Sequence, residues 1–228
     1  AGKDDGLIPY LMPTTARILY HAAQLSLVER LCLAHCAISS KPTYMRHLMR
    51  DYVLIIANMG MRHGTEALTL KWKHVTLFEE KDRQYLETSV TGKTGRRDII
   101  CRSGAINYLK SIHERSDDIK HIPFEDLLKQ RLDLSVFRLP DRTVSNNIHQ
   151  SFRKFVIDAG LITCPRMNQN RTLYSLRHTY ATFALLNDGM DIHALAIQRG
   201  TSTGRIEQHY SHLTYAAPQK GYAHGQAV

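Results

Sequence analysis

The sequence predicts a mainly α-helical fold with one small antiparallel β-sheet (α+β), and three observations predict it. Apolar residues recur at helical spacing on both sides of a short central stretch in which they alternate. Gly92 and Gly95 sit where that stretch must turn back on itself, and Gly160, Gly189 and Gly200 stop helix-length segments in the C-terminal part. With 228 residues and 43% hydrophobic content, the chain can bury a real core without disulfide or metal staples.

The elements follow in order. Residues 1–13 hold Gly2, Gly6, Pro9 and Pro13 with little periodicity and read as a linker leading into the fold. Thr14 or Thr15 can cap a helix running to about residue 36, and a second helix after Ser39 to Pro42 carries Tyr44, Leu48, Val53, Ile55 and Ile56. Trp72, His74, Thr76 and Phe78 then alternate, and two more β-rich runs, Tyr85 to Thr91 and Arg97 to Cys101, flank Gly92 and Gly95. Helical spacing returns over 103–115. The stretch 120–141 reads as irregular, broken by Pro123 and Pro140. Helices are expected at about 143–159, 173–187, 191–198 and 202–210, closing a domain over 14–213 and leaving a tail at 214–228.

Lys and Arg outnumber Asp and Glu by 30 to 21, a net charge of +9 that favours a polyanionic partner such as nucleic acid. Cys32, Cys36, Cys101 and Cys164 form no C-x-x-C pair, and no secretory signal or membrane-spanning apolar run is present, so a reducing, cytoplasmic setting and no membrane are expected. Cys32, His35 and Cys36 sit in an apolar helical stretch and read as core rather than as a metal site. The chain opens on Ala1 rather than Met, and the expectation is a piece of a longer protein.

Four blocks carry chemistry. Leu173-Tyr174-Ser175-Leu176-Arg177-His178-Thr179-Tyr180-Ala181-Thr182 resembles the L-R-H-T-x-A-T signature of tyrosine recombinases of the phage-integrase type. Downstream, Gly200-Thr201-Ser202 and then Tyr210, nine residues after Thr201, are similar to the family's closing block with its tyrosine nucleophile. Upstream, Gly60 to Leu68 resembles the block of the first catalytic arginine, Arg62. Between them Thr91-Gly92-Lys93-Thr94-Gly95 lies where the family keeps a lysine on a hairpin. Glu87 stands where a P-loop needs its first glycine, so Gly92-Lys93-Thr94 is not one.

The resemblance implies the tyrosine recombinase catalytic-domain fold and DNA cutting and rejoining through a 3′-phosphotyrosyl intermediate on Tyr210. Arg62 and Arg177 would clamp the phosphate, since planar guanidinium groups pair with non-bridging oxygens. Lys93 would act as general acid on the departing oxygen, although the same turn also suits a solvated basic hairpin touching DNA backbone. Tyr174, Tyr180, Tyr215 and Tyr222 compete with Tyr210 for the nucleophile's role, and the Gly-Thr-Ser turn favours Tyr210. The family further implies no metal, no cofactor and no ATP, double-stranded DNA as partner, and a homo-tetramer on DNA with the tail packing on a neighbouring protomer. A bacterial or phage-derived, nucleoid-associated setting follows from it. Arg96, Arg97, Arg142, Arg153, Lys154 and Arg171 are candidates for DNA-backbone contacts.

The sequence departs from the family at both usual histidine places, which hold Tyr174 and Thr201. Either hydroxyl can donate a hydrogen bond, but neither is a base titrating near neutrality. His178, His209 and His212 lie nearby as substitutes, and His178 reads as a structural helix residue. Two rival readings therefore stay open: a type IB topoisomerase-like enzyme, and a non-catalytic DNA-binding module from a decayed recombinase. A metal-dependent nuclease lacks support, with no H-E-x-x-H pattern in the chain.

Overall fold

Helix α1 (Thr43–Met59) is the post around which the rest packs. From Tyr52 to Ala57 it is apolar on every side, which no solvated helix tolerates, and Tyr52, Val53, Leu54, Ile55 and Ile56 are all fully buried. Its one fully buried anion, Asp51, is held by Arg50 and by Arg115 from across the core. In this computed structural model the described residues are 43–214, apart from 81–82, 93–94, 103, 146, 159 and 165–167. The expected linker at 1–13, the helix to residue 36 with Cys32, His35 and Cys36, the Lys93 turn, and the tail after Thr214 lie outside them.

After α1 the chain makes a short 3₁₀ turn at Trp72–His74 and enters a meander of β1 (Val75–Glu80), β2 (Arg83–Gly92) and β3 (Gly95–Ile100). The pairing is antiparallel in the order β1-β2-β3, with Gly92 opposite Gly95. The expected strand from Trp72 thus begins later, at Val75, because Trp72 is fully buried in the helical core against His113 and Phe124. Helix α2 (Ala105–Glu114) follows and packs on α1.

The stretch expected to be irregular contains helix α3 (Phe124–Lys129). Pro123 opens it instead of breaking it, since a proline before the first turn removes only an amide that has no helical partner. Glu125 and Asp126 in the first turn and Lys129 in the last match the helix dipole. Next come α4 (Ile148–Asp158), shorter at its start than expected, and a minimal hairpin of β4 (Thr163–Cys164) and β5 (Gln169–Asn170).

Three helices close the described chain: α5 (Ser175–Leu186), α6 (Ile192–Arg199) and α7 (Thr203–Thr214). Asp191 caps α6 by accepting the Ala194 amide at 2.8 Å, and Gly200 ends it in the left-handed region at φ 56°. Helix α7 runs four residues beyond Tyr210. A second apolar cluster, built from Tyr180, Ala181, Ala184, Leu195, Ala196, Ile206 and Tyr210, binds these three helices together. Helix α5 also packs on α1.

Gly60 joins the two halves. It ends α1 with φ 68°, and a Cβ there would be driven into the ring of the buried Tyr180. Gly60→Ala should therefore lower the urea midpoint with little change in slope. The expected loss is about 1–3 kcal/mol from overpacking plus about 1–2 kcal/mol from the left-handed backbone.

Candidate active site

The last carbonyls of any helix lack helical donors and carry its negative dipole end. At the end of α6 three arginines from different elements supply those donors. Arg97 on β3 donates through Nε to Gln198 O at 2.9 Å, Arg177 on α5 through Nη2 to Arg199 O, and Arg62 through Nη2 to Gly200 O at 2.8 Å. Arg177 also donates to Gly60 O, so one guanidinium ties the end of α1 to the end of α6.

Glu66 neutralises part of this charge. Its side chain is fully buried and accepts Arg97 Nη1 and Nη2 in a two-pronged pair, both at 2.8 Å. It also accepts Arg62 Nη1 at 2.5 Å and the Arg62 backbone amide at 2.8 Å, while Arg177 Nη1 stands 4.0 Å away. Burial pushes the carboxyl up, but the hydrogen bonds from Arg97 and Arg62 and the charge of Arg97 outweigh it and hold the group at about 2. Arg177 feels the opposite balance. Burial, then the charges of Arg199 and Arg62, pull it down to about 9, still cationic at neutral pH.

These residues border a cavity of about 870 Å³, lined among others by Arg62, Arg97, Arg177, Arg199 and Arg205. With five guanidinium groups at the wall and Glu66 behind them, the cavity is built for an anion. Behind the lining residues His178 and Arg199 lies Tyr210, buried in the second cluster. Its Oη accepts Arg199 Nη1 at 3.1 Å and meets His178 Nδ1 at 2.5 Å, and the Arg199 guanidinium sits 5.4 Å from the ring centre. Arginine can only donate, so the phenol oxygen accepts from Arg199 and its proton goes to an unprotonated Nδ1. Burial, and then the charges of Arg199, His209 and Arg177, hold His178 at about 4, which keeps that nitrogen free at neutral pH. Burial pushes the Tyr210 phenol up, opposed by the charge and hydrogen bond of Arg199.

Of the residues picked from the sequence, Arg62, Arg97, Tyr174, Arg177 and Thr201 line this one cavity, and Tyr210 touches two of its lining residues. Tyr174 stands half exposed at the mouth with its ring against His178. Lys93 lies outside the described residues, but its neighbour Gly92 presses on the site: a Cβ there would sit 2.5 Å from Glu66 Oε1 and 3.0 Å from Arg62 Nη1.

The six DNA-backbone candidates divide. Arg97 is turned inward onto Glu66 with 9% of its side chain exposed, and Arg171 donates to Leu161 O and Thr163 O. Arg96, Arg142, Arg153 and Lys154 are exposed, Arg142 pairing with Asp118. Three members of the cluster were not assigned from the sequence. Glu66 stood inside the Arg62 block without a role, Arg199 was not singled out, and His178 was offered as a substitute at the histidine places but read as a structural helix residue.

No family model matches the sequence, and no curated protein matches it. Solved structures do. The XerH site-specific recombinase bound to palindromic difH substrate, a post-cleavage complex, superposes with a TM-score of 0.53 at 18% identity, over 80% of this chain and 46% of that one. The pre-cleavage complex of XerH with difH gives 0.52 and 19% over 78% of this chain and 47% of that one. This chain thus spans about half the length of the XerH chains it matches. The likeness establishes the fold, the mainly helical α+β architecture of the tyrosine recombinase catalytic domain.

Because the Glu66 carboxyl is depressed from an ordinary value of 4.5 to about 2, its contribution to stability is fully present above pH 4.5 and is lost as pH falls through about 2. Glu66→Gln leaves buried guanidinium groups uncompensated and should cost about 3–5 kcal/mol at pH 7. Urea titrations at stepped pH should show the gap between the two proteins closing between pH 4.5 and 2.

Proposed function

We propose that the chain, with its tyrosine recombinase fold, is the catalytic domain of a DNA strand-transferase that cuts and rejoins DNA through a 3′-phosphotyrosyl intermediate. One observation carries the reading: a buried tyrosine hydroxyl hydrogen-bonded to an imidazole and a guanidinium that both line an arginine-walled cavity. The phosphodiester sits against Arg62 and Arg177, whose guanidinium groups take up the charge that grows on its non-bridging oxygens. The Tyr210 oxygen forms a bond to phosphorus, the bond to the 5′-oxygen breaks, and that oxygen takes a proton from Lys93. The tyrosyl ester keeps the energy of the cleaved bond, so a free 5′-hydroxyl reverses the step on the same or another strand without ATP. The arginines supply the charge that a metal ion would otherwise bring.

Tyr174 and Thr201 stand where the fold family has histidines, and here they line the cavity, where their hydroxyls can donate to a docked phosphate. Arg96, Arg142, Arg153 and Lys154 are placed to hold DNA backbone, a largely sequence-independent and salt-sensitive contact. Four protomers acting on two duplexes, with the segment after Thr214 bridging neighbours, complete the recombinase reading.

The test is adduct formation on nicked duplexes that carry a bridging phosphorothiolate, drawn from a random-sequence pool. Wild-type protein should yield a denaturation-resistant protein–DNA adduct that persists in chelator, and Tyr210→Phe should yield none. Arg177→Ala should slow the adduct by about 10²–10³-fold. Salt-sensitive binding without any adduct would point instead to a DNA-binding module.

A further inference from the structure

We propose that His178 and Arg199 are the activating pair for Tyr210: His178 Nδ1 takes the phenolic proton, Arg199 holds the phenolate, and phosphate docking against the arginines switches His178 into a working base. This rests on the strand-transfer reading above and assigns the base that Tyr174 and Thr201 cannot supply. Three independent geometric facts carry it. The Nδ1 to Oη separation is 2.5 Å, a hydrogen bond already in place. Arg199, itself buried, directs Nη1 to the same oxygen at 3.1 Å from the opposite helix. Tyr174, in the usual histidine's place, turns its ring to His178 and stands half exposed.

The groups facing His178 are Arg199 from α6, His209 and Tyr210 from α7, and Arg177 and Tyr174 from its own helix α5. Two of these are fixed cations. Burial first, and these charges after it, hold His178 at about 4, which leaves Nδ1 open at neutral pH but makes it a weak base. Docking of a phosphate dianion or diester between Arg177, Arg62 and Arg199 offsets that charge, and His178 becomes more basic when the substrate is present. In the step itself the phenol O–H bond breaks, the proton passes to Nδ1, the oxygen lone pair forms the bond to phosphorus, and the 5′-oxygen leaves. Arg199 neither gains nor loses a proton. The same pair works in reverse when the 5′-hydroxyl attacks, since His178 returns the proton to the departing phenolate.

Two measurements on the full chain decide it. The first is histidine-selective NMR titration of His178 in chloride and in sulfate of matched ionic strength, sulfate being a dianion that does not titrate in this range. Wild-type His178 should stay neutral to below pH 5 in chloride and shift upward in sulfate. Arg199→Met should move it toward the ordinary 6.5, and Arg199→Lys, which keeps the charge, should leave it near the wild-type value. The second is the pH–rate profile of adduct formation on the phosphorothiolate duplexes, whose sulfur leaving group needs no general acid.

His178→Gln should slow the adduct about 10²-fold even on this substrate, and Arg199→Met should slow it and raise the pH of its acid limb. A histidine that was only structural would not move that limb. A full-rate adduct from His178→Gln, or an unchanged His178 titration in Arg199→Met, overturns this proposal alone. A wild-type chain that forms no adduct on any duplex overturns the strand-transfer reading and this proposal with it.

Discussion

The interaction on which the site depends is the meeting of one buried carboxylate and one helix end with three guanidinium groups. Glu66 alone cannot compensate Arg62, Arg97 and Arg177, and the three carbonyls that close α6 supply the remaining negative potential. A buried ion pair gains little net stability over apolar packing, because desolvation consumes most of the attraction. What it gains here is position. Each arginine comes from a different part of the chain, and each is fixed at both a carbonyl and, for Arg62 and Arg97, the same carboxylate.

That arrangement also explains why the cluster faces a cavity instead of collapsing. The guanidinium groups use part of their donor forks on Glu66 and α6, and burial, followed by the charges of Arg199 and Arg62, lowers Arg177, so like charges crowd this site. The balance of charge around the cavity remains positive, with five arginines on its wall. An anion entering there lowers the repulsion at every arginine at once, so affinity and site geometry are set by the same charges. Gly92 belongs to this logic: the hairpin end can lie against Glu66 and Arg62 because it has no side chain.

Much of this fold was legible in the sequence, for identifiable reasons. Tyr44, Leu48, Val53, Ile55 and Ile56 at near-helical spacing marked α1, and Gly92 and Gly95 marked the hairpin that the register confirms. The segment 124–129 was misread because Pro123 looked like a break, whereas a proline at the edge of a helix leaves it intact. Trp72 was assigned to a strand because alternation over four residues does not separate a sheet from a packed turn. The site divides similarly. Arg62, Arg177 and Tyr210 were found through blocks of neighbouring residues, while Arg199 was not, because its partner is reached only when α6 and α7 fold back on each other. An arginine within an eight-residue helix carries no local mark of burial. Glu66 did carry one, its four-residue spacing from Arg62, but that spacing is usually a surface pair.

The loss of both usual histidines follows a rule about space more than about sequence position. In the proposed reaction the Tyr210 hydroxyl needs a proton acceptor at hydrogen-bond distance, and which residue number provides it depends on how α5 and α7 pack. Ala181 and Ala184 are the α5 side chains in the second cluster beside Tyr180, and their small size lets α7 come close enough for Tyr210 to reach His178. Position 178 is one residue after Arg177, about 100° further around the helix. Arg177 can therefore face the anion cavity and the end of α6 while His178 faces the tyrosine. With that division made on one helix turn, both roles proposed for the helix are independent of position 174, where a half-exposed tyrosine borders the cavity.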